Sequence, residues 1–485
     1  MPYIAAFDAG TTAVKGALLD GSGRLAASGA AEIETLYDGE RKEQRPEDWW
    51  AAFCAVAREL TAAVDPAEIT GISMSGQMQD LICLDEKLAP VRPAILYSDG
   101  RAEAQAERLA AAVGPERFLQ ITGNRCDGSL PLPKLMWLKE AEPETYRQVR
   151  HVLISSKDYL IARLTGACCG DFTACSTAGA MDIRKKIWSG ELLSAADVEP
   201  SLFPRLLPSH GRAGAVLEGK DGGFLPGTPV YAGVGDAGAT TLASGIARPG
   251  QYNINLGTSG WVATVSDDLL FQEAGVFNLA AMPEGRYINV VPFLNAGNVH
   301  KWICGLLAEG DYRRLGAALA QSCPGSGGVL FLPYLTGERF PVMAPEARGC
   351  FAGLTPQTTK ADMARACLEG VAFSIRQGLE ELPVPPESVS LIGGGCREAV
   401  WCQILVDVLG REVAVFKNAE LLPAMAVASA ALLAQGEIGS YEEFTAGLLS
   451  EDSSVRYMPE GHTRYDRQYR RFLRLYPAFR AALAL

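Results

Sequence analysis

Two stretches of this chain share one order of elements, and that order constrains the fold more than any other feature of the sequence. Residues 3–20 read YIAAFDAGTTAVKGALLD, and residues 252–265 read YNINLGTSGWVATV. Each pattern predicts a buried strand, a turn of Gly, Thr and a further hydroxyl residue, and an outgoing strand. Each hairpin opens one half of the chain, which favours two related α/β halves. The alternative is coincidence, because hairpin turns commonly recruit such residues.

The segments that follow each hairpin also correspond. Residues 45–64 carry apolar side chains at helical spacing and precede a strand pattern at 69–76. Residues 358–382 predict a second amphipathic helix, and the strand pattern VSLIGGG follows it. A chain of 485 residues is expected to form two or three domains. Gly- and Pro-rich turns near residue 250 place the predicted boundary between domains 1–247 and 248–485.

Composition excludes several classes of function. The formal net charge is -12, and no run of Lys and Arg is interleaved with aromatic residues, which argues against nucleic acid and anionic membranes as partners. The longest apolar stretch, LPAMAVASAALLA, is too short to span a bilayer, and MPYIAAFDAG resembles no leader, so we expect a cytoplasmic protein. Twelve scattered cysteines predict reduced thiols, and four widely separated histidines give little support for a zinc site.

Both hairpin turns have the composition of phosphate-binding loops. Their backbone N–H groups and hydroxyls can point the same way and form a nest for phosphate oxygens. The two turns are Gly10-Thr11-Thr12 and Gly257-Thr258-Ser259. Asp8 precedes the first turn, and a carboxylate beside a polyphosphate requires a hard divalent cation between them. Asp8 is therefore a candidate magnesium-side ligand that contacts the ion through water. The alternative is a carboxylate that only caps the turn.

The stretch PVYAGVGDAGATTLASG supports two competing interpretations. Gly233, Gly235 and Gly238 satisfy G-x-G-x-x-G between a strand and a predicted helix, which is typical of dinucleotide-binding sites and suggests a nicotinamide-dependent oxidoreductase. However, Asp236 falls where the pyrophosphate would sit, and a negative charge is wrong there. An aspartate on a glycine turn facing a cleft can instead accept the proton of a substrate hydroxyl. A simple helix N-cap is the third interpretation.

Two further stretches are candidate binding segments. Gly393, Gly394 and Gly395 end a buried strand and allow a close backbone approach to a flat ligand such as adenosine, although a tight turn alone would also explain them. The stretch GQMQD at residues 76–80 interrupts two strand patterns with amide and carboxylate side chains. These suit hydrogen bonding to a polyol, and a satisfied polar turn is the alternative.

Taken in their order along the chain, these motifs resemble those of the FGGY carbohydrate kinases, and within that family those of the xylulokinase branch. The resemblance extends over nearly the whole chain and includes FDAGTTAVKGALLD, RPEDWWAAF, SGQMQD, RPAILYSDGRAEAQ, LPKLMWLKEAEPETY, GVGDAGA, LGTSG, FLPYLTGERFPVMAPEARGCFAGLT and LIGGGCREAVWCQILVDVLG. It implies an α/β fold of two actin/hexokinase-like (ribonuclease H-like) domains facing a central cleft, with ATP and Mg²⁺ as cofactors.

The resemblance also implies residue roles. Asp236 matches the catalytic base and, with Asp8, the magnesium side of the site. The nucleotide side comprises Gly10, Thr11, Thr12, Lys15, Gly257, Thr258, Ser259, Gly394 and Gly395. The implied substrate-binding residues are Gln77, Met78, Gln79, Asp99 and Asp236.

Some positions depart from the family pattern. Gln79 and Asp80 stand where GQMHG is usual, and Ala237 replaces the Asn that usually follows the catalytic Asp. The sequence LLPAMAVASAAL replaces the usual PALGAA, which either narrows the nucleotide side or only repacks a helix. We therefore expect ATP-dependent phosphorylation of a primary hydroxyl of a small sugar, a ketose such as xylulose, by a possible homodimer.

Several alternatives to that function stay open. The acceptor could be another pentulose, a hexulose, a heptulose or a polyol. More distant alternatives are the oxidoreductase, a non-catalytic sugar sensor and an actin-like filament protein.

Overall fold

The fold consists of two lobes, each built around one large mixed sheet. The computed structural model describes residues 2–21, 23–39, 41–219, 222–270, 275–342, 344–416, 421–448 and 454–483. We call the part from Tyr3 to Ala243 the first lobe and the part from Gln251 to Leu483 the second lobe.

The first lobe contains sixteen strands and nine helices within its described residues. The strands are β1 (Tyr3–Ala9), β2 (Ala13–Asp20), β3 (Leu25–Glu32), β4 (Leu36–Asp38), β5 (Arg41–Gln44), β6 (Ile69–Gly76), β7 (Ile82–Leu84), β8 (Ala94–Ile95), β9 (His151–Leu153), β10 (Cys169–Asp171), β11 (Met181–Asp182), β12 (Ile187–Trp188), β13 (Arg205–Leu207), β14 (Arg212–Ala215), β15 (Pro229–Tyr231) and β16 (Val234–Gly235). The helices are α1 (Pro46–Thr61), α2 (Glu103–Val113), α3 (Pro115–Thr122), α4 (Pro131–Ala141), α5 (Pro143–Tyr146), α6 (Ser156–Thr165), α7 (Phe172–Cys175), α8 (Gly190–Ala195) and α9 (Asp236–Ala243).

The second lobe has fewer and longer elements. Its strands are β17 (Gln251–Leu256), β18 (Gly260–Ser266), β19 (Phe277–Ala280), β20 (Tyr287–Phe293), β21 (Leu330–Leu332), β22 (Cys350–Ala352), β23 (Ser388–Ile392), β24 (Val413–Phe416) and β25 (Ser454–Tyr457). Its helices are α10 (Gly297–Ala308), α11 (Tyr312–Gln321), α12 (Lys360–Glu380), α13 (Ala399–Leu409), α14 (Leu422–Gln435), α15 (Tyr441–Leu448), α16 (His462–Phe472) and α17 (Leu475–Leu483). Short 3₁₀ turns lie at Pro66–Glu68, Pro200–Leu202, Ser326–Gly328 and Gly394–Arg397.

The two large sheets share one strand order. The first runs β3-β2-β1-β6-β15-β14, with β16 also paired to β6. In the same direction the second runs β20-β18-β17-β23-β24-β25, with β19 added at the edge beside β20. In each sheet the opening hairpin is antiparallel, and its first strand pairs in parallel with a later strand, β6 or β23. The repeat that the two hairpins suggested is therefore present in the fold, and the predicted α/β class is confirmed.

The central strands of the first sheet are covered on both faces. In β1, Ala5 and Phe7 pack in the core under α1, whereas Ile4 and Ala6 pack in a different cluster with residues of α9 and α14. Alternate residues of a strand point to opposite faces, so a strand covered on both faces has a nearly continuous apolar sequence. This explains why the segment before Asp8 reads as an uninterrupted apolar run.

Helix α14 belongs to the second lobe in sequence but packs on β1 and β6 of the first lobe. It is apolar on all sides, as expected for a helix buried on all sides, and Ala426 and Val427 are fully buried. The residues AMAVA, which depart from the family pattern, therefore fill the core between the lobes at these positions. At the start of the helix, Leu422 and Pro423 instead line a cleft described below.

All twelve cysteines lie in the described residues and are unbridged. Across the described ranges, no helix has both the length and the apolar character to cross a bilayer.

Candidate active site

Three parallel strands of the first sheet end at the same edge, and acidic residues lie there. Asp8 on β1 is in register with Ser75 on β6, and Ser75 is in register with Val234 on β16. Asp236 follows Gly235, the last residue of β16. Ligands of α/β sheets bind beyond the carboxyl ends of such strands. The fold thus brings together the two aspartates that the sequence singled out separately.

The Asp8 carboxylate is oriented by its neighbour in the sheet. The Ser75 hydroxyl donates a hydrogen bond to Asp8 Oδ1 over 2.7 Å, whereas Oδ2 lies toward Gly10, 3.8 Å from where a Cβ of that residue would be. Burial raises the pKa of Asp8, and the Ser75 hydrogen bond and the charge of Lys15 oppose that rise. Lys15 stands opposite Asp8 in the hairpin register. One oxygen is therefore fixed by the protein while the other faces the turn.

Asp236 is the first residue of α9, and its side chain is partly exposed. The backbone N–H of Ala237 donates a hydrogen bond to Oδ1 over 2.8 Å. Burial raises the pKa of Asp236 to about 7, with further increases from the charges of Asp8 and Asp171. A carboxylate with a pKa near neutrality can accept a proton efficiently at physiological pH.

The first turn is held by a buried hydrogen-bond network. The Thr11 hydroxyl donates to Gln77 Oε1 over 2.8 Å, and Gln77 Nε2 donates to Gln44 Oε1 over 2.9 Å. Gln44 Nε2 closes the ring by donating to the Thr11 carbonyl over 2.7 Å, and Trp49 Nε1 also donates to Gln44 Oε1. The side-chain amide of Gln77 is fully buried. Its structural contacts are thus with the turn, while Thr12 at the tip stays exposed.

Of the other predicted substrate residues, Met78 is the one that packs against the strand leading to Asp236. Met78 lies directly against it, since a Cβ on Gly235 would be 1.9 Å from the Met78 sulfur. Gln79 has a φ of 65°, and its Nε2 donates to Ser129 Oγ over 2.6 Å. A positive φ in a residue with a side chain is strained, and such strain clusters at functional sites.

Asp99 is buried and engaged in ion pairing. It accepts hydrogen bonds from the Arg101 guanidinium at 2.9 and 2.5 Å and from the backbone N–H of Lys42 at 2.7 Å. These contacts fix the loop after β8. Contact between Asp99 and a sugar stays a prediction.

A buried lysine that the sequence analysis did not single out, Lys134, lies beneath residues 77–80 and close to the charge of Asp80. Lys134 on α4 is fully buried and donates to the carbonyls of Gln79 and Leu96 over 3.2 and 2.8 Å. Burial lowers the pKa of Lys134 to about 8, against the opposing charge of Asp80. Burial raises the pKa of Asp80, which Lys134 opposes and Asp236 reinforces. The charge of Asp236 therefore reaches Asp80, which stands where the family pattern has Gly.

The second turn is fixed from below by the start of α10. The backbone N–H of Gly297 donates to the Gly257 carbonyl over 2.8 Å, and that of Asn298 donates to the Thr258 carbonyl over 2.9 Å. Thr258 and Ser259 are exposed at the tip. The turn thus resembles the first one in having anchored backbone and exposed hydroxyls.

Beside the second turn lies a cleft of about 660 Å³. Its lining includes Gly393, Gly394 and Arg397 from the glycine turn and Thr240 and Ser244 from the end of α9. A Cβ on Gly394 would meet nothing within 4 Å, so this glycine faces open space.

The glycines on either side of Gly394 have a different role. Gly395 is buried, and a Cβ there would lie 2.7 Å from the Trp401 ring. Gly393 has a φ of 97°, and a Cβ on this residue would clash with the backbone of Leu256. The triplet therefore forms one wall of the cleft, and on its other side it packs closely against Leu256 and Trp401.

Helix α9 connects the cleft to the two aspartates. It begins at Asp236 and ends beside the cleft, and its eight residues span about 12 Å at 1.5 Å per residue. One short helix thus sets the separation between Asp236 and the glycine-lined cleft.

Family models match both lobes of this architecture. The N-terminal domain of the FGGY family of carbohydrate kinases matches residues 3–243, and the C-terminal domain of that family matches residues 252–432. The chain belongs to the FGGY family of carbohydrate kinases. It is therefore a phosphotransferase that uses ATP to phosphorylate a sugar.

Relatives of this kinase cover most of its length. It is 34% identical over 433 residues to a xylulose kinase of Klebsiella pneumoniae, covering 88% of this chain and 89% of that protein. It is 33% identical over 478 residues to a xylulose kinase of Escherichia coli, covering 97% of each. The solved xylulose kinase of Rhodospirillum rubrum superposes with a TM-score of 0.89 at 28% identity, covering 100% of both chains.

The kinase fold explains the glycines of the dinucleotide-like pattern by packing. A Cβ on Gly233 would lie 1.9 Å from the Met74 carbonyl oxygen, and one on Gly238 would lie 2.4 Å from Val234. Together with Gly235 against Met78, all three glycines allow β16 and α9 to pack closely on neighbouring chain. The oxidoreductase hypothesis drawn from G-x-G-x-x-G is therefore wrong.

The residues of this kinase are compatible with a magnesium–nucleotide complex. The two carboxylates Asp8 and Asp236 lie close enough for the charge of Asp8 to raise the pKa of Asp236, and a divalent cation would relieve that repulsion. In the described part of the chain, no cluster of three His, Cys, Asp or Glu residues could hold a metal alone. Nucleotide phosphates and water would then complete the coordination, as is usual for Mg²⁺.

Proposed function

We propose that this kinase transfers the γ-phosphoryl group of ATP to a primary hydroxyl of a neutral ketose, with D-xylulose as the first candidate. The observation that carries the proposal is Asp236, a partly exposed carboxylate with a pKa of about 7 at the edge where three parallel strands end. The relatives named as xylulose kinases support the choice of sugar.

The proposed reaction assigns Asp236 as the general base. Its carboxylate would accept the proton of the sugar hydroxyl while that oxygen attacks the γ-phosphorus. Met78, which packs against Gly235, and Gln79 would contact the sugar. A base with a pKa near 7 is deprotonated in about half of the molecules at neutral pH and retains useful basicity.

The two turns would hold the phosphates. The exposed Thr12, Thr258 and Ser259 hydroxyls and the adjoining N–H groups, including those of Thr11 and Gly257, would bind phosphate oxygens. Gly10 would shape the first turn, because its N–H donates to the Ala13 carbonyl over 3.1 Å. Lys15 would add positive charge, and Gly394, with Gly395 behind it, would form the wall against adenosine. Bound Mg²⁺ would neutralise phosphate charge beside Asp8 and Asp236.

The charges around the site favour an uncharged acceptor. The charges of Asp8 and Asp171 raise the pKa of Asp236, and the charge of Asp236 raises that of Asp80. A substrate carboxylate placed beside Asp236 would be repelled by these groups. We therefore favour ketoses and polyols over sugar acids.

A coupled assay of ADP release over pentuloses, hexuloses, heptuloses, polyols and one aldonate tests the proposal. We expect the highest kcat/KM with a ketose and D-xylulose among the best substrates. A preference for the aldonate, or turnover with no sugar, would contradict it. The Asp236→Asn variant serves as the inactive control in the same assay.

Three expectations about the whole protein stay proposals. These are a division into domains 1–247 and 248–485, a cytoplasmic location and a possible homodimer. Light scattering coupled to gel filtration would decide the last of these by measuring the molar mass.

A further inference from the structure

One side chain of the first lobe lies between the start of α9 and the second lobe. Thr173 on α7 is buried, and its hydroxyl donates a hydrogen bond to the carbonyl of Ala280, the last residue of β19, over 2.6 Å. Its methyl group contacts α9, because a Cβ on Gly238 would lie 3.2 Å from Thr173 Cγ2. Thr173 therefore touches both the helix that begins at Asp236 and a strand of the other lobe.

Helix α7 also contacts the chain on the other side of Asp236. A Cβ on Gly235 would lie 3.3 Å from Ala174 Cα. Gly235 directly precedes Asp236, and Gly238 follows it by two positions. Protein interiors are close-packed and transmit small displacements. A shift of α7 would therefore move the backbone both before and after the Asp236 side chain.

The start of α7 is anchored by buried charges. Asp171 Oδ2 accepts hydrogen bonds from the backbone N–H groups of Thr173 and Ala174 over 2.8 and 3.1 Å. Asp171 Oδ1 pairs with Lys157 Nζ over 2.9 Å, and Lys157 also pairs with Asp158 over 2.5 Å. All three ionic side chains are fully buried, so breaking either pair would leave a charge without compensation. Helix α7 therefore starts from a fixed point in the first lobe.

The second-lobe partner of α7 is an edge strand, β19. Side chains of the first lobe satisfy backbone groups along this edge. The N–H of Ala280 donates to Ser176 Oγ over 3.4 Å, in addition to the bond from Thr173 to the Ala280 carbonyl. The Asn124 side-chain amide bonds both backbone groups of Asn278, over 2.9 and 2.8 Å. The edge is thus covered by the other lobe, and α7 faces a fixed part of it.

We propose that Thr173 is a positioning residue for the general base, which ties the Asp236 carboxylate to the second lobe. The inference rests on the proposed function of Asp236. Phosphoryl transfer requires the base, the attacking oxygen and the phosphorus to be aligned. The proposed base belongs to the first lobe, whereas the second phosphate turn belongs to the second lobe. A side chain that contacts α9 and β19 together fixes the base relative to that lobe.

Kinetics of the Thr173→Val variant test the proposal. Valine keeps the size of the side chain and removes the hydrogen bond to Ala280. We expect kcat with the best sugar of the panel to fall about tenfold, because small misplacements of reacting groups are costly. KM for ATP and KM for the sugar should each change less than about twofold, since the predicted binding side chains stay in place. An unchanged kcat, or a loss expressed only in KM, would contradict the proposal.

Two further variants make this measurement specific. Thr177→Val is the matched control, because the Thr177 hydroxyl donates to the Ala174 carbonyl over 2.7 Å and this bond stays within the first lobe. Its kcat should stay within about twofold of the wild type, and a loss equal to that of Thr173→Val would overturn the inference. Thr173→Ser keeps the hydroxyl, so its kcat should recover to within about threefold of the wild type. A serine variant as impaired as the valine variant would show that the hydrogen bond is not the cause.

A double variant tests whether Thr173 acts through Asp236. Groups that act as a unit in catalysis have non-additive effects on the rate. Once Asp236→Asn has removed the proton acceptor, the placement of this side chain no longer affects the residual rate. Adding Thr173→Val should then cost less than about twofold, measured at raised enzyme concentration. A second tenfold loss would show that Thr173 acts independently of the base and would overturn the proposal.

Hydrogen exchange gives a measurement that needs no turnover. Peptides that cover residues 233–243 should exchange faster in Thr173→Val than in the wild type, and at the wild-type rate in Thr177→Val. Exchange at the wild-type rate in both variants would contradict a link between Thr173 and α9. Should Thr173→Val unfold at the assay temperature, Thr173→Ala removes the same hydroxyl without placing a methyl group against the Ala280 carbonyl. It is judged by the same criteria.

The wild type and Asp236→Asn separate this inference from the proposed function. Wild-type enzyme that phosphorylates no sugar, or Asp236→Asn with wild-type turnover, would reject the proposed function and this inference with it. A productive wild type and a severely impaired Asp236→Asn, together with a fully active Thr173→Val, would reject the inference alone.

Discussion

Asp8 and Asp236 lie at the ends of two strands that flank β6, and the charge of Asp8 raises the pKa of Asp236. Burial is the largest influence on the pKa of each residue, ahead of any neighbouring charge. Two acids held together in this way cost folding free energy unless a cation or a proton joins them. The arrangement therefore ties the state of the proposed base to the proposed magnesium side of the site.

Replacing the proposed base should separate binding from chemistry. Asp236→Asn keeps the size of the side chain but removes the proton acceptor, so we expect kcat to fall about 1000-fold, within the range of general-base contributions. ADP affinity measured by calorimetry should change little, because Asp236 lies at the far end of α9 from the cleft. Sugar-phosphate formation at more than a tenth of the wild-type rate would contradict the assignment.

The pKa of Asp236 predicts opposite effects of pH on activity and stability. Activity requires the carboxylate, so kcat/KM should rise through about pH 7. Stability should fall as the pH rises from about 3.8 to about 7 and then level off. The folded group holds its proton up to about pH 7, whereas the unfolded group loses it near 3.8, so folding binds a proton between these two values.

The stability effect is measurable with the same variant. Asp236→Asn abolishes the titration, so its Tm should exceed that of the wild type by an amount that grows from pH 5 to about pH 7 and is nearly constant above it. The corresponding gain is about 2 kcal/mol, roughly half of the full shift because the carboxylate is partly exposed. A Tm difference independent of pH would show that the pKa is not raised.

Asp8 should affect both metal dependence and the pH profile. Asp8→Asn removes the negative charge that raises the pKa of Asp236, so the acid limb of kcat/KM should move to lower pH. The concentration of Mg²⁺ needed for half-maximal rate should rise, since one proposed ligand is lost. Ser75→Ala is the matched control, because it keeps the Asp8 carboxylate and removes the hydroxyl that donates to Asp8 Oδ1 and to the Phe7 carbonyl. An unchanged magnesium titration would reject the metal role.

Gln77 distinguishes support of the turn from contact with the sugar. Gln77→Leu leaves the Thr11 hydroxyl without its buried acceptor, so we expect KM for ATP to rise about tenfold, as for a lost buried hydrogen bond. KM for the sugar should change much less. The reverse pattern, a raised sugar KM with an unchanged ATP KM, would favour the substrate role that the family resemblance implied for this residue.

The positions that depart from the family pattern should control the choice of sugar. Gln79→His combined with Ala237→Asn restores the usual residues beside Asp236, so the kcat/KM ratio of D-xylulose to other ketoses should shift by about tenfold or more. Cys323→Ser is a surface control for expression and handling. An unaltered ratio across the ketose panel would refute a role for these two positions.

The hairpins, the α12 helix and the strand before the glycine triplet could be predicted because local patterns specify them. Apolar periodicity and turn residues act over a few positions, and the bounds of β1, β2, β17 and β18 follow the patterns closely. The convergence of Asp8 with Asp236 needed the family resemblance, because 228 residues of chain separate them and only the shared strand β6 brings them together.

The supporting residues of the site were not predictable in the same way. Gln44 has no motif around it, and its role depends on hydrogen bonds to Thr11 and Gln77 across sheets and loops. Lys134 lies in the stretch LPKLMWL, where a lysine among apolar residues of a buried helix was the available signal. A lysine with no exposed surface must find partners, and those partners mark the segment it supports.

The position of α14 has a consequence for how the chain is made. The apolar face of β1 and β6 is formed by residues synthesised first, but the helix that covers it spans Leu422–Gln435. During translation the part of that face under α14 stays uncovered until residue 435 has left the ribosome, whereas α9 is available much earlier. An emerging chain with a bare apolar sheet is a substrate for chaperones, and a truncation before residue 422 should yield insoluble protein, not a working first lobe.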